Sequence, residues 1–298
     1  MTDPVRPEEV ETSVELVRGL VAAQFPQWAG LAISRVSADS TDHDMYRLGE
    51  DLAVRAPRRA GAVEAMGKEH LWLPRLAERL PAPVPLPVAR GEAADGYPYP
   101  WAVVRWIEGA PPRGLVADVE IGGNLGAFVV ALHGIEAGEG PRPGAHNFWR
   151  GVALKVRDRS MRERFAWLSD LADIGEVTAA WDEALALPSW DRPPVWIHGD
   201  LQGGNLLVRE GRLAGVIDWS ALGVGDPAGD LSPAWNLFEG PARAAFREAV
   251  AVDAATWRRG RAWALIEGVL ALSYYRGKNE IIAQAGRRTI DAVLADWG

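Results

Sequence analysis

The sequence predicts an α+β protein of two lobes, a small β-rich amino-terminal lobe and a larger, mainly helical carboxy-terminal lobe. Three observations lead there. Short apolar segments separated by turns fill residues 31–56 and return at 101–107. Beyond residue 108 the apolar residues recur mostly at helical spacing. One stretch, Val195–Leu231, interrupts the helices with strand-like segments and carries the densest polar motif of the chain. The lobe boundary falls in "EGAPPRG", a linker by composition, which divides the chain into residues 1–107 and 108–298.

The elements follow in order. Val10, Val14, Val17 and Val21 lie at helical spacing and predict an amphipathic helix over Glu8–Gln24. Leu31–Val36, Met45–Leu48 and Leu52–Ala56 read as a meander of strands, and Ala60–Leu80 as a second helix. Pro81–Ala89, "PAPVPLPVA", cannot be helical and reads as an extended connector. Trp101–Ile107 is a buried strand. Helices are then expected over Gly122–His133, Leu154–Leu171 and Val177–Leu185, and again from Pro241 onward.

Composition narrows the function. At 298 residues, with 48% hydrophobic and 24% charged, the chain has ample core and an ordinary globular make-up. The net charge of −8, with no basic run, argues against nucleic acid as a partner. The absence of cysteine excludes disulfides, thiolate nucleophiles and cysteine-bound zinc. Met1–Glu9 lacks an apolar signal core, and no uncharged apolar run approaches the ~20 residues that span a bilayer. The expectation is a cytoplasmic protein with no membrane partner, a monomer or weak dimer. Lysine occurs only at 68, 155 and 278, so arginine carries nearly all the positive charge.

The segment "VWIHGDLQGGNLLVREGRLAGVIDW" holds His198, Asp200, Asn205 and Asp218. Val195–Ile197 is a short strand that delivers His198-Gly199-Asp200 into a loop. Leu206–Val208 and Leu213–Ile217 flank Arg209–Arg212 and read as a hairpin. A hairpin returns the chain to its start, so Asn205 before it and Asp218 after it belong at the same open end, with Asp200 on the adjoining loop. Aspartate and asparagine are common turn residues, but three at this spacing, joined by one hairpin, describe a site. Two oxygen donors beside a further carboxylate suit Mg²⁺ and a bridging phosphate.

The spacing H-x-D-x-x-x-x-N, followed by a strand and an Asp, resembles the catalytic loop and metal-binding Asp of the protein-kinase-like fold. With Gly after the His, His198-Gly-Asp-Leu-Gln-Gly-Gly-Asn205 and Ile217-Asp-Trp219 are most similar to the aminoglycoside phosphotransferase and choline kinase superfamily. The resemblance runs over nearly the whole chain. It implies a two-lobed kinase-like fold and Mg²⁺-dependent transfer of the γ-phosphate of ATP or GTP to a hydroxyl of a small acceptor. Asp200 would orient the hydroxyl and accept its proton, Asn205 and Asp218 would hold Mg²⁺, and His198 would support the loop. Arg55 stands where the family has a phosphate-gripping Lys, and Glu69 where it has the orienting Glu. Ser40 and Thr41 would offer donors to the β-phosphate from a loop without glycine. Backbone groups of Arg105 and Ile107 would meet the purine. No G-x-x-x-x-G-K-[ST] motif occurs, which excludes a P-loop.

On the acceptor side the resemblance implies Asp226, Asp230, Glu239, Glu267 and Tyr274, with Trp235, Tyr275 and Asn279 nearby. Carboxylates with aromatics suit an amine-bearing acceptor such as an aminoglycoside-like antibiotic or aminosugar, and "HNFWRG", His146–Gly151, is a candidate cover. Arg55 and the glycine-free loop also fit a nucleotide-binding pseudokinase acting as a regulatory module. A protein kinase is disfavoured because no A-P-E segment is present.

Overall fold

Residues 9–36, 42–94, 96–168 and 173–297 are described by a computed structural model, which divides the chain into Met1–Glu78 with Pro83–Glu108 and Arg79–Ala82 with Gly109–Gly298. The first unit begins with α1 (Val14–Gln24), continues through β1 (Ile33–Arg35), β2 (His43–Leu48), β3 (Leu52–Pro57) and α2 (Ala60–Ala77), and ends with β4 (Pro87–Gly91) and β5 (Trp101–Arg105). Its five strands form one antiparallel sheet in the order β1-β2-β3-β5-β4. Side chains alternate along the two inner strands. Val54, Ala56, Trp101 and Val103 pack with Val17, Leu20 and Val21 of α1. Ala53, Ala102 and Val104 pack with Met66 of α2. Arg55 is two residues from Ala53 on the same strand, so it shares the α2 face of the sheet.

The second unit contains α3 (Val119–His133), α4 (Asp158–Phe165), α5 (Ile174–Leu185), β6 (Val195–Ile197), β7 (Leu206–Arg209), β8 (Arg212–Val216), β9 (Gly223–Gly225), α6 (Pro233–Asn236), α7 (Gly240–Val250), α8 (Ala254–Tyr275) and α9 (Glu280–Ala295). β7 and β8 are an antiparallel hairpin and β6 pairs antiparallel with β9. Glu210 and Gly211 connect the hairpin with φ of 53° and 77°, the two positive angles of the turn that matches strand twist. Trp181, Trp196, Trp219, Trp235 and Trp263 are all fully buried here, as is Trp101 in the first unit. Much of the chain's unusual tryptophan content is therefore core. No described helix is long and apolar enough to cross a membrane.

Several boundaries differ from the sequence expectation, each for a local reason. α1 starts at Val14 because the Ser13 side chain caps it, accepting from the Leu16 N–H. Val10, four residues before the helix, has its N–H donating to Arg58 O at 2.9 Å. Asp118 and Asp173 cap α3 and α5, starting both helices three residues before the apolar repeat does. The expected helix over Leu154–Leu171 is a 3₁₀ turn, then α4, then a second 3₁₀ turn ending at Leu168. β4 begins inside the supposed connector and runs two residues beyond it. It is an edge strand, where proline is tolerated because no ladder N–H is missed on the open side.

Candidate active site

The loop after β6 is suspended from one buried carboxylate. Asp230 has no exposed surface; its Oδ2 accepts the N–H of His198 at 3.0 Å and its Oδ1 the N–H of Gly199 at 2.8 Å. His133 Nε2 lies 3.1 Å from the same Oδ2. Gly199 has φ of 80°, and a Cβ there would stand 2.7 Å from Ala221 O and 3.2 Å from the Cβ of Arg150. Only glycine turns the loop at this point. Asp200 emerges directly after it, partly exposed.

His198 ties this loop to the hairpin. Its Nδ1 accepts the Asp200 N–H at 3.3 Å while Nε2 lies 3.1 Å from Ile217 O. With Nδ1 accepting, Nε2 is the ring nitrogen placed to donate to the carbonyl of Ile217. The ring is fully buried and packs on Trp219, with centroids 4.6 Å apart. Ile217 N–H donates to Asn205 O at 2.9 Å, which brings Asn205 beside the residue before Asp218. The hairpin thus brings Asn205 and Asp218 together at its open end.

Asn205 Nδ2 donates to Asp200 O at 2.8 Å and to Asp200 Oδ2 at 3.1 Å. With its nitrogen committed, the amide oxygen is the atom left to meet a cation. Asp218 adopts φ of 57°, and its Oδ1 accepts the Ser220 N–H at 3.3 Å. A non-glycine residue held left-handed is a conformation that clusters at functional sites. One amide oxygen and one carboxylate form a hard donor set that fits Mg²⁺, which takes few protein ligands and completes its shell with phosphate and water.

A residue that sequence reasoning did not single out completes the constellation. Arg150 is 8% exposed; Nη2 donates to Asp200 Oδ1 at 3.3 Å and Nη1 to Glu267 Oε1 at 3.1 Å. Glu267 Oε2 accepts from Asn236 Nδ2 at 2.9 Å, and the same nitrogen donates to Leu201 O at 3.1 Å. Burial pushes the Glu267 carboxyl up to about 7, against the pull of Arg150 and with a further push from Asp200. The Arg150 loop is pressed on β9 through two glycines, since a Cβ on Gly225 would lie 2.5 Å from Gly151 O. Gly223-Val224-Gly225 is therefore glycine-rich for close packing.

In the first unit Arg55 and Glu69 are 6% and 3% exposed and form a two-pronged ion pair. The neighbouring Lys68 has its ammonium pushed down to about 8 by burial, with Glu69 and Glu64 opposing. Arg105 N–H donates to Leu86 O at 2.8 Å, so this donor, expected at the purine, is spent inside the sheet. Ile107 follows two residues after β5 ends. Ser40 and Thr41 lie outside the described residues.

The residues expected on the acceptor side separate into three groups. Asp226 and Asp230 are structural, a correction to the expected substrate contact. Asp226 is 4% exposed, caps the turn at Ala228 and binds Arg259 through both oxygens at 2.8 and 3.2 Å, while Asp230 is consumed by the loop. Trp235 is buried with Nε1 on Asp296 Oδ2, and Asn279 caps α9. Glu239 is exposed at the start of α7. Tyr274 is exposed near the end of α8, edge-on to Tyr275 and 4.4 Å from Lys278 Nζ. Glu267 alone among them is joined to Asp200, through Arg150.

A five-stranded antiparallel sheet in one unit, and a mainly helical second unit that carries the His-Gly-Asp loop and its hairpin, make up a kinase-like fold. Residues 33–263 match the model of the phosphotransferase enzyme family, and the chain belongs to that family. An aminoglycoside 3'-phosphotransferase from Escherichia coli is 32% identical over 78 residues, which spans 26% of either chain. The GDP and kanamycin complex of the aminoglycoside phosphotransferase APH(2'')-IIIa superposes with a TM-score of 0.72 at 18% identity, covering 94% of this chain and 98% of that one. The apoenzyme of a macrolide 2'-phosphotransferase from Brachybacterium faecium superposes at 0.64 with 20% identity, covering 93% and 97%. These neighbours share the kinase-like fold.

Proposed function

We propose that the protein transfers the γ-phosphate of ATP or GTP to a hydroxyl group of a small molecule. The observation that carries this reading is the grouping of Asp200, Asn205 and Asp218 by one loop and one hairpin. Asp200 accepts the proton of the acceptor hydroxyl; the oxygen forms its bond to the γ-phosphorus as the bond to the β–γ bridging oxygen breaks, and the nucleoside diphosphate leaves. Asn205 steadies Asp200 by donating to its Oδ2, and Arg150 holds the other oxygen. Positioning and proton acceptance of this kind contribute roughly 10²–10⁴-fold. Asn205 Oδ1 and the Asp218 carboxylate would hold Mg²⁺, which when bound neutralises phosphate charge. Arg55, oriented by Glu69, offers a fixed cation to the nucleotide phosphates; its planar fork grips oxygens in pairs where an ammonium would not.

The amine-bearing acceptor expected from sequence has weaker support than the reaction. Two of its carboxylates, Asp226 and Asp230, face inward. The test of the reaction is release of ADP or GDP, with Mg²⁺, across a panel of aminoglycosides, macrolides and neutral glycosides, measured on wild type and Asp200→Ala. Acceptor-dependent release that vanishes in the variant supports the reading. Nucleotide-bound protein that turns over no acceptor, with no Asp200-dependent hydrolysis, removes it.

A further inference from the structure

An acceptor with an ammonium group beside its reacting hydroxyl needs a carboxylate to receive that charge next to the base. In this protein the place is taken. Arg150 already spans Asp200 and Glu267, at 3.3 and 3.1 Å, and is held there on all sides. Gly199 leaves room for its Cβ, the Trp263 ring lies 5.7 Å from its guanidinium carbon, and Gly151, at φ of 80°, anchors the chain just after it. Asp200 and Glu267 together carry at most two negative charges, and Arg150 cancels one. A Glu267 carboxyl that titrates near neutrality removes part of the other.

We propose that Arg150 is a specificity-determining residue that occupies, between Asp200 and Glu267, the position an acceptor ammonium would take, so that the hydroxyl offered to Asp200 belongs to an amine-free polyhydroxylated compound of the glycoside class. This rests on Asp200 being the residue that receives the acceptor hydroxyl. One further observation points the same way. Immediately before Arg150, Phe148 and Trp149 are held at φ of 55° and 61° and remain 54% and 46% exposed. Bulky residues rarely adopt this conformation, and both aromatic side chains stay uncovered next to Arg150 in the chain. Such faces suit the C–H side of a sugar ring, with the polar edge of the same ring free for hydroxyl contacts.

Binding and turnover test this separately. Kanamycin is titrated calorimetrically, without nucleotide, into wild type, Arg150→Lys and Arg150→Met. Wild type and Arg150→Lys should bind kanamycin more weakly than about 1 mM, and Arg150→Met, with both carboxylates released, at least about tenfold more tightly than wild type. Micromolar binding by wild type overturns the proposal, as does a folded Arg150→Met that gains nothing. Turnover of the wild type needs no variant. Phosphorylation of methyl glucoside or trehalose with Mg²⁺ and ATP or GTP should exceed that of kanamycin in kcat/KM by about tenfold or more; kanamycin as the better substrate overturns the proposal. Failure to bind any nucleotide would instead remove the kinase reading and leave the kanamycin titration to decide the role of Arg150.

Discussion

The carboxylate of Asp230 holds the backbone of His198, 32 residues away in sequence, at an N–H to oxygen distance of 3.0 Å. With the companion bond to Gly199, it satisfies two buried donors at the start of the His-Gly-Asp loop. Asp230→Ala orphans both, at roughly 1–3 kcal/mol each. The expected loss is about 2–6 kcal/mol of stability in urea unfolding, with a smaller loss for Asp230→Asn, which keeps one oxygen. A loss under about 1 kcal/mol for the alanine variant would mean that the loop does not depend on this carboxylate.

Asp200→Asn removes the proton acceptor while keeping the shape of the side chain. Turnover should fall by about 10²–10⁴-fold, with nucleotide affinity unchanged in a fluorescence titration. A fall in affinity equal to the fall in rate would assign Asp200 to nucleotide binding.

Asp226 and Arg259 form a buried two-pronged ion pair, 4% exposed at either residue. Removing one partner leaves a buried charge, so Asp226→Ala should cost about 3–5 kcal/mol. The double change Asp226→Leu with Arg259→Met should recover most of that loss. Equal unfolding midpoints for the single and double variants would contradict the pairing.

Glu267 sets a slope of stability with pH. Its carboxyl is raised from 4.5 to about 7 in the folded protein, so the fold binds this proton more tightly than the unfolded chain does. The stabilisation is fully present below pH 4.5 and is lost as pH rises through 7, a total of about 3 kcal/mol. Glu267→Gln should flatten the decline of stability between these limits, measured as urea midpoints at pH 5 and pH 8. An unchanged slope would place the titration elsewhere.

The sequence reveals this site unevenly, for physical reasons. Asp200, Asn205 and Asp218 are legible because a loop and a two-residue turn, both local, bring them together. Arg55 and Glu69 are picked out only through the family resemblance, and the structure pairs them. Arg150 is not legible, since what marks it is contact with residues 50 and 117 positions away, and no local pattern encodes such a meeting. The inward turn of Asp226 and Asp230 is hidden for the same reason: a carboxylate that binds buried backbone and one that binds a ligand look alike in the chain. β4 is obscured by the prolines that precede and open it, because edge position is a property of the finished sheet.

α8 carries Glu267 to Arg150 while burying thirteen of its residues, among them Trp257, Trp263 and Leu265. The helix that holds the proposed acceptor-side Glu267 is therefore also the spine of the helical unit. A new specificity acquired on this helix must be tolerated by the core it supports, so adaptive changes here draw on the same small stability margin that keeps the protein folded. Changes in the exposed Phe148–Trp149 segment carry no such penalty. Divergence in acceptor choice should accordingly begin in that loop and reach α8 only after compensating substitutions elsewhere have widened the margin.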